Sequence, residues 1–198
     1  GNLTGSWAQS AFPNNIHAFM VTDVDSDLLA DVIAQKMEGA NLSLYWLEAT
    51  TATGANWNST LIGSVPGASH PEGAQGYRVA DVRPGGKPEI LISSGDGVWY
   101  FEIPASPTAG NWPKVRVNSN PSDEGFGVED IDRDGFLDVA AGTGNSRRVE
   151  WYKNPGTSAP NWTAFVIGDM SDTVFPDRFD IADLNGDGRA DIIGTEEN

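Results

Sequence analysis

The sequence predicts an all-β protein, a β-propeller of four-stranded antiparallel blades, and three recurring features lead to this prediction. An acidic loop recurs with spacings of 58, 49 and 53 residues, and it begins at Asp23, Asp81, Asp130 and Asp183. A tryptophan opens another strand at a similar period, at Trp7, Trp57, Trp112 and Trp162. An adjacent Tyr and Trp recur at 45–46, 99–100 and 151–152. Four short strands repeated about every 50 residues are typical of propeller blades.

The third unit shows the elements of one blade in order. A first strand runs into the acidic loop, a second leaves it, a third carries the Trp–Tyr pair and a fourth follows Asn-Trp. These strands are expected at 126–129, 138–141, 149–152 and 162–167. In the first unit, 28–37 has some helical character in isolation, but its alignment with the repeat predicts a strand over 31–35.

The phase of the repeat predicts one domain, 1–198, with about three and a half to four blades. Blades are expected at 16–65, 75–118 and 124–168, followed by a partial blade at 177–198, and the strand at 6–12 belongs to a preceding or closing blade. The expected fifteen strands do not close neatly into a ring. We therefore expect a segment of a larger propeller, or open edges that pair with another copy.

Composition limits the functional classes. The 198 residues are 39% hydrophobic and include seven Trp and eight Phe, which predicts a folded chain. A net charge of −16 argues against nucleic-acid binding. Thirteen of the 28 acidic residues lie in the four loops, so much of this charge is expected to be metal-ligand charge. No apolar run approaches the roughly 20 residues of a membrane span.

The loop 130–138 has the pattern of a cation site. Carboxylates occupy its first, third, fifth and ninth positions, and the glycine at the sixth position permits a left-handed turn. Converging carboxylates are costly without a cation, and a flexible set of oxygen ligands favours Ca²⁺. The expected ligands are the side chains of Asp130, Asp132, Asp134 and Asp138 and the carbonyl of Phe136.

Two other loops repeat this pattern, so two Ca²⁺ sites are expected and a third is open. The loop 183–191 supplies Asp183, Asn185, Asp187 and Asp191, with the carbonyl of Arg189. The loop 23–31 keeps Asp23, Asp25, Asp27 and Asp31. It has Leu28 where glycine is expected, and a branched residue is disfavoured in a left-handed turn. This third site is therefore left open.

The loop 81–89 departs furthest from the pattern. It lacks carboxylates at its third and fifth positions, and Arg83 and Lys87 bring positive charge. We expect no ion here. Arg83 is expected to pair with Asp81 or Glu89 and to replace the cation.

The loops 130–138 and 183–191 and the apolar strands after them resemble the FG-GAP/VCBS repeats of secreted proteins and of integrin α-chain propellers. The resemblance implies a calcium-bound hairpin between the first and second strands of each blade, in propellers that commonly have seven blades. It implies less about function, because the family includes adhesion proteins, lectins and propeller domains of polysaccharide-degrading enzymes.

The favoured function is an extracellular, calcium-stabilised binding or scaffold module directed at glycans. One alternative is a polysaccharide lyase or sugar dehydratase, in which a long insertion would supply His70, Glu72, Tyr77 and Arg78. Solvated loop side chains explain these residues more simply, so the sequence favours binding over catalysis. A second alternative is assembly through open blade edges with another copy or with the remainder of a propeller. The periodic tryptophans are expected to form the core between blades.

Overall fold

The computed structural model describes residues 16, 18–52, 56–67, 76–143, 146–170 and 175–197. These residues form fourteen β-strands and one 3₁₀ helix, Pro107–Ala109. The first eight strands are β1 (Ala18–Thr22), β2 (Asp31–Glu38), β3 (Asn41–Ala49), β4 (Trp57–Pro66), β5 (Tyr77–Ala80), β6 (Glu89–Ser94), β7 (Gly97–Phe101) and β8 (Lys114–Asn118). The others are β9 (Pro121–Glu129), β10 (Asp138–Thr143), β11 (Arg148–Lys153), β12 (Thr163–Asp169), β13 (Phe175–Ala182) and β14 (Asp191–Glu197). Within this part of the chain, no helix has the length and apolar character of a membrane span.

The strands form three four-stranded antiparallel sheets in chain order and one two-stranded sheet. We call β1–β4 blade 1, β5–β8 blade 2 and β9–β12 blade 3, and we call β13–β14 the terminal hairpin. The predicted class, all-β with four-stranded antiparallel blades, is confirmed. The ambiguous segment forms the strand β2 from Asp31, as the repeat predicted. The predicted strand at 6–12 lies outside the described residues.

The second strands of blades 2 and 3 are the most buried strands of their sheets, with a neighbouring strand on each side. Every residue of β6 and β10 is buried. Such strands carry nearly continuous apolar side chains, as in Ile90, Leu91 and Ile92.

Aromatic side chains fill the spaces between successive blades. Trp46 of blade 1 packs near Trp112 of blade 2, with ring centroids 6.4 Å apart. Tyr100 of blade 2 packs near Trp162 of blade 3 at 6.3 Å. These offset contacts repeat from one interface to the next, so the same sequence marker builds the same core contact.

A β-bulge in each fourth strand explains how the Asn-Trp marker works. The bulges leave Ile62 and Val117 without a partner in the strand ladder. Their carbonyls instead accept the backbone N–H groups of Trp112 (2.8 Å) and Trp162 (2.6 Å) from the next blade. The preceding residues, Asn111 and Asn161, have φ of 48° and 58°. Asparagine tolerates this left-handed conformation better than most residues.

Some of the periodic tryptophans are exceptions to the expected core position, and the sequence could not identify which ones. Trp57, Trp99 and Trp151 are only half-buried. Trp151 lies on the face of blade 3 that meets the terminal hairpin, and β13 contacts this face at β9 and β10. The outer part of the face remains exposed, so Trp151 stacks instead on Phe165 of its own blade at 4.8 Å. Trp7 lies outside the described residues.

Candidate metal centres

Four acidic loops join the first and second strands of the three blades and of the terminal hairpin. We call them loop 1 (23–31), loop 2 (81–89), loop 3 (130–138) and loop 4 (183–191). Neighbouring loops touch: the ammonium of Lys87 donates to the carbonyl of Val24 in loop 1. The amide of Asn154 donates to the carbonyl of Val82 in loop 2 at 2.7 Å. The loops therefore form one continuous edge of the stacked sheets.

The first aspartate of each cation-type loop organises the turn. In loop 1, Asp23 accepts the N–H groups of Ser26 (2.7 Å) and Leu28 (3.1 Å). In loop 4, Asp183 accepts those of the equivalent glycines at 2.7 and 2.8 Å. In loop 3, Asp130 accepts two N–H groups at 3.0 and 2.9 Å. Each first carboxylate thus holds its loop in a tight turn through these hydrogen bonds alone.

The left-handed turn expected at the sixth position is present in loops 1, 3 and 4. There φ is 72° at Leu28, 91° at Gly135 and 77° at Gly188. Leu28 does not prevent the turn, because its side chain is 91% exposed and meets no obstruction. The fourth position is also left-handed, which sequence reasoning missed. Its residues are Ser26 (69°), Arg133 (64°) and Gly186 (78°).

The ninth-position acid ties the loop to the third strand of its blade. Asp138 is fully buried and accepts the N–H of Ile131 in the loop at 3.2 Å and of Asn154 after β11 at 2.8 Å. Asp31 does the same with the N–H groups of Val24 and Ala49. Burial raises the pKa of both carboxyls above the usual range, against the lowering effect of these hydrogen bonds. A cation beside them would oppose this effect of burial.

In two loops the structure brings carboxylates together as a cation site requires. Oxygens of Asp23, Asp25 and Asp31 lie within 4.8 Å of one another, as do those of Asp130, Asp132 and Asp138. The members are the predicted ligands at the first, third and ninth positions. Three carboxylates at this separation repel one another, and a hard divalent cation of flexible coordination fits such an oxygen set.

The fifth-position aspartates form part of the turn. Asp134 accepts the N–H of Phe136 at 3.0 Å, and Asp27 accepts that of Leu29 at 2.7 Å. Their second oxygens are not used in these bonds. In loop 3 the ammonium of Lys153 lies against Asp132 and also against Asp134, the latter at 2.6 Å. This cation was not identified from the sequence.

Loop 4 repeats the hydrogen bonds of loop 1 around a less acidic centre. Asn185 stands at the third position and caps the N–H of Asp187 at 2.8 Å. Asp191 accepts the N–H of Leu184 at 2.9 Å but remains partly exposed. Arg189 supplies the seventh-position carbonyl. The terminal hairpin has no described third strand, so the ninth acid lacks the second tie found in blades 1 and 3.

Loop 2 lacks the cation-type centre, and the partner expected for Arg83 is wrong. Its guanidinium pairs with Glu102 of blade 2 at 2.7 Å, not with Asp81 or Glu89. The Arg83 backbone N–H donates to Glu89 at 3.0 Å. Glu89 is 3% exposed, and this burial raises its pKa to about 7. The ninth acid therefore persists where the third- and fifth-position carboxylates are lost.

The residues considered for sugar elimination do not meet in the described structure. His70 and Glu72 lie outside the described residues. Tyr77 lies between blades 1 and 2, beside Ile33 and Ile92. Arg78 lies 4.0 Å from Asp180 of β13, and both side chains are largely solvated. Arg78 also donates to the backbone carbonyl of Tyr77 at 3.0 Å, but the side chains of these adjacent strand residues lie on opposite faces of β5.

A cleft of about 670 Å³ beside β8 has a different character from the loops. Lys114 and Arg116 lie over the ring of Trp99, at 5.4 and 5.7 Å from its centroid. Asp96 accepts the indole N–H of Trp99 at 2.8 Å and pairs with Arg116 at 3.1 Å. Pro66, Ser158, Pro160 and Asn161 also line the cleft. We call it the Trp99 cleft. The half-burial of Trp99 is what distinguishes this cleft, and the periodicity of the sequence cannot predict it.

Comparison with known families agrees with the loop geometry. Residues 130–194 match the family described as FG-GAP-like repeat. The matched segment contains loops 3 and 4 and the strands between them. This match lies where the motif resemblance to the FG-GAP/VCBS repeats was recognised. A search of curated proteins finds no match to the chain.

Proposed function

We propose that the chain is a calcium-stabilised β-propeller module that acts outside the cell as a binding scaffold, with glycans as its ligand class. The observation that carries the calcium part is the convergence of three carboxylates in loop 1 and again in loop 3. FG-GAP-like repeats typically bind calcium and are commonly extracellular, where calcium is abundant enough to fill weak sites.

The role of calcium is structural. Each ion would join the first and second strands of a blade and offset the repulsion among its acids. An ion that binds only the folded state stabilises it by about 2.7 kcal/mol when its concentration is 100 times Kd. Loops 1, 3 and 4 are the proposed sites, and loop 2 is proposed to bind none.

A thermal melt with and without calcium tests this role. We expect the midpoint to rise with calcium and to fall in excess EDTA. The matched variant carries Asp25→Asn and Asp132→Asn, which remove one carboxylate from each triad, and its response should be much smaller. A wild-type midpoint that is the same in calcium and in EDTA would contradict the proposal.

The Trp99 cleft supports a glycan ligand and favours an acidic one. Arg116 and Lys114 offer charged donors for a carboxylate, and Asp96 and Asn161 offer partners for hydroxyl groups. Lys114 and Arg116 lie over the indole ring of Trp99, so these two cations determine which part of a bound sugar approaches the ring.

Binding to arrayed neutral and uronic-acid oligosaccharides tests the ligand class. We expect acidic oligosaccharides to bind and Arg116→Ala to abolish binding. Arg148→Ala is the control, because Arg148 is an exposed cation paired with Asp169 at the edge of blade 3. Failure of every oligosaccharide to bind, or equal binding by Arg116→Ala, would contradict a glycan site in this cleft.

Assembly with a second copy is the other candidate, and the bulge in β12 favours it. The bulge residue is Ile167, equivalent to Ile62 and Val117, but it is 43% exposed. Among the described residues, no neighbouring blade supplies a donor to its carbonyl. A cleft of about 330 Å³ lies between this strand and the terminal hairpin. An edge strand from another copy would cover this apolar surface.

Sedimentation over a range of protein concentrations tests this second candidate. We expect concentration-dependent oligomers, and we expect Phe165→Asp to shift the chain to monomers because Phe165 lies on the exposed face. A monomer at every concentration would exclude assembly through this face. The enzymatic alternative has no comparable observation, since the side chains of Tyr77 and Arg78 lie on opposite faces of β5.

A further inference from the structure

One position of the third strand faces the acidic loop in every blade. Strand registers pair Leu47 with Val32, Phe101 with Ile90 and Tyr152 with Val139. In each third strand, the residue that follows the one just named stands opposite the ninth-position acid of the loop. It is Glu48 in blade 1, Glu102 in blade 2 and Lys153 in blade 3. We call it the facing residue.

The facing residue and the third loop position carry complementary charges in two blades, with opposite polarity. In blade 2 the loop supplies the cation: Arg83 pairs with Glu102 at 2.7 Å. In blade 3 the loop supplies the anion, and Asp132 pairs with Lys153. The same two positions thus form an ion pair whether or not the loop has the cation-type sequence.

Lys153 lies against two of the carboxylates that an ion in loop 3 would need. Its ammonium contacts one oxygen of Asp132 and lies 2.6 Å from Asp134. Both carboxylates are predicted calcium ligands. A lysine ammonium is charged at neutral pH. Two cations at this separation from the same oxygens repel each other strongly.

We propose that Lys153 is a tethered counter-ion of loop 3, which neutralises the loop when no metal is bound and must be displaced when calcium binds. This inference rests on the proposed calcium binding and adds an internal competitor to it. Lys153 lowers the affinity of loop 3 for calcium and stabilises the metal-free loop. Its side chain is 33% exposed, so it can move towards solvent when the ion enters.

Loop 1 lacks this competitor. Its facing residue, Glu48, is acidic and accepts a hydrogen bond from Asn58 at 2.9 Å. Lys87 of loop 2 reaches loop 1, where its ammonium donates to the carbonyl of Val24 and makes no ion pair with a carboxylate among the described residues. We therefore expect loop 1 to bind calcium more tightly than loop 3.

Calcium titration of loop 3 alone tests the proposal. Asp25→Asn and Asp187→Asn weaken loops 1 and 4, and terbium luminescence sensitised by Trp151, next to Lys153, reports on loop 3. In this background, Lys153→Gln and Lys153→Met should each bind calcium about tenfold more tightly, because the ion no longer has to displace a charged partner. Lys153→Arg should show no gain, because it keeps the charge. The remote Lys36→Gln variant, which loses only a pair with Glu38, is the second control.

A melt in EDTA gives a readout that needs no metal. The Lys153→Gln variant should melt below wild type in EDTA, and its gain on adding calcium should exceed that of wild type. Equal calcium affinities for wild type and both neutral variants would overturn the inference while leaving calcium binding intact. An affinity gain in Lys153→Arg would overturn it too. If wild type binds no calcium at any loop, the proposed function itself fails.

Discussion

Loops 2 and 3 occupy equivalent places in neighbouring blades, yet they balance their charges in opposite ways. Loop 3 has converging carboxylates at its first, third and ninth positions, with Lys153 across from them. Loop 2 has Arg83 at the third position, with Glu102 across from it. Both loops nevertheless keep a buried ninth-position acid, Asp138 or Glu89.

Comparison of loops 2 and 3 separates two roles of the acidic residues that the sequence pattern combines. The ninth-position acid is a structural acceptor for backbone N–H groups, and it is retained whether or not an ion site is present. The third and fifth positions decide whether the loop attracts a metal. We therefore expect the fold to depend on the ninth acid, and calcium binding to require the first and third acids together with it.

The largest effect is expected from Asp138→Ala measured in EDTA. The substitution leaves the buried N–H groups of Ile131 and Asn154 without an acceptor, and each loss costs about 1–3 kcal/mol. We expect the free energy of unfolding to fall by about 3–4 kcal/mol in urea titrations. Asp134→Ala is the control, because its side chain is partly solvated. A loss below about 1 kcal/mol for Asp138→Ala would mean that the ninth acid serves only the metal.

The pH dependence of Glu89→Gln should be the next largest effect. Burial raises the pKa of Glu89 to about 7, so the folded state holds the proton more tightly than the unfolded state. The stability from this group is therefore present below about pH 4.5 and is lost as pH rises through 7. Gln cannot ionise and should remove this loss.

We expect the stability of Glu89→Gln relative to wild type to improve by about 3 kcal/mol between pH 4.5 and pH 8.5. Urea titrations in EDTA at several pH values measure the difference, and the other buried acids cancel because both proteins contain them. A difference that does not change with pH would show that Glu89 ionises normally.

A smaller effect is expected from Leu28→Gly in loop 1. Leu28 has φ of 72° and is 91% exposed, so glycine relieves backbone strain with little loss of packing. We expect a stability gain of about 1 kcal/mol in thermal or urea melts. The equivalent change at Leu184, an exposed leucine of loop 4 without positive φ, should bring no gain. Destabilisation by Leu28→Gly would mean that this strain is absent.

The smallest effect is expected for the Arg83–Glu102 pair. Both side chains are partly exposed, at 38% and 26%, and solvent screens the interaction. A double-mutant cycle with Arg83→Ala and Glu102→Ala should give a coupling of about 0.5 kcal/mol, reduced by salt. A coupling of zero would contradict the explanation that this ion pair balances the charge of loop 2.

The sequence predicted the features that recur along the chain. The spacing of Asp23, Asp81, Asp130 and Asp183 located every first-to-second-strand loop, and alignment with the repeat identified β2 correctly against its helical character. These predictions succeed because the same pattern recurs in each blade, so each unit can be aligned with the others. The calcium ligands themselves stay a prediction.

Contacts made between different strands were harder to predict. Arg83 has two acids in its own loop, but the pleat directs it to Glu102, 19 residues away. Aligning the facing residues Glu48, Glu102 and Lys153 would have exposed this pairing. The half-burial of Trp151 depends on how far the terminal hairpin extends over blade 3, and no local pattern contains that information.

Anomalous diffraction from crystals grown with calcium tests the central claim most directly. The account predicts an ion in loops 1 and 3 bound by the first, third and ninth acids, and an ion in loop 4. It predicts no ion in loop 2, where Arg83 remains paired with Glu102. Calcium density in loop 2, or loops 1 and 3 without an ion at millimolar calcium, would contradict it.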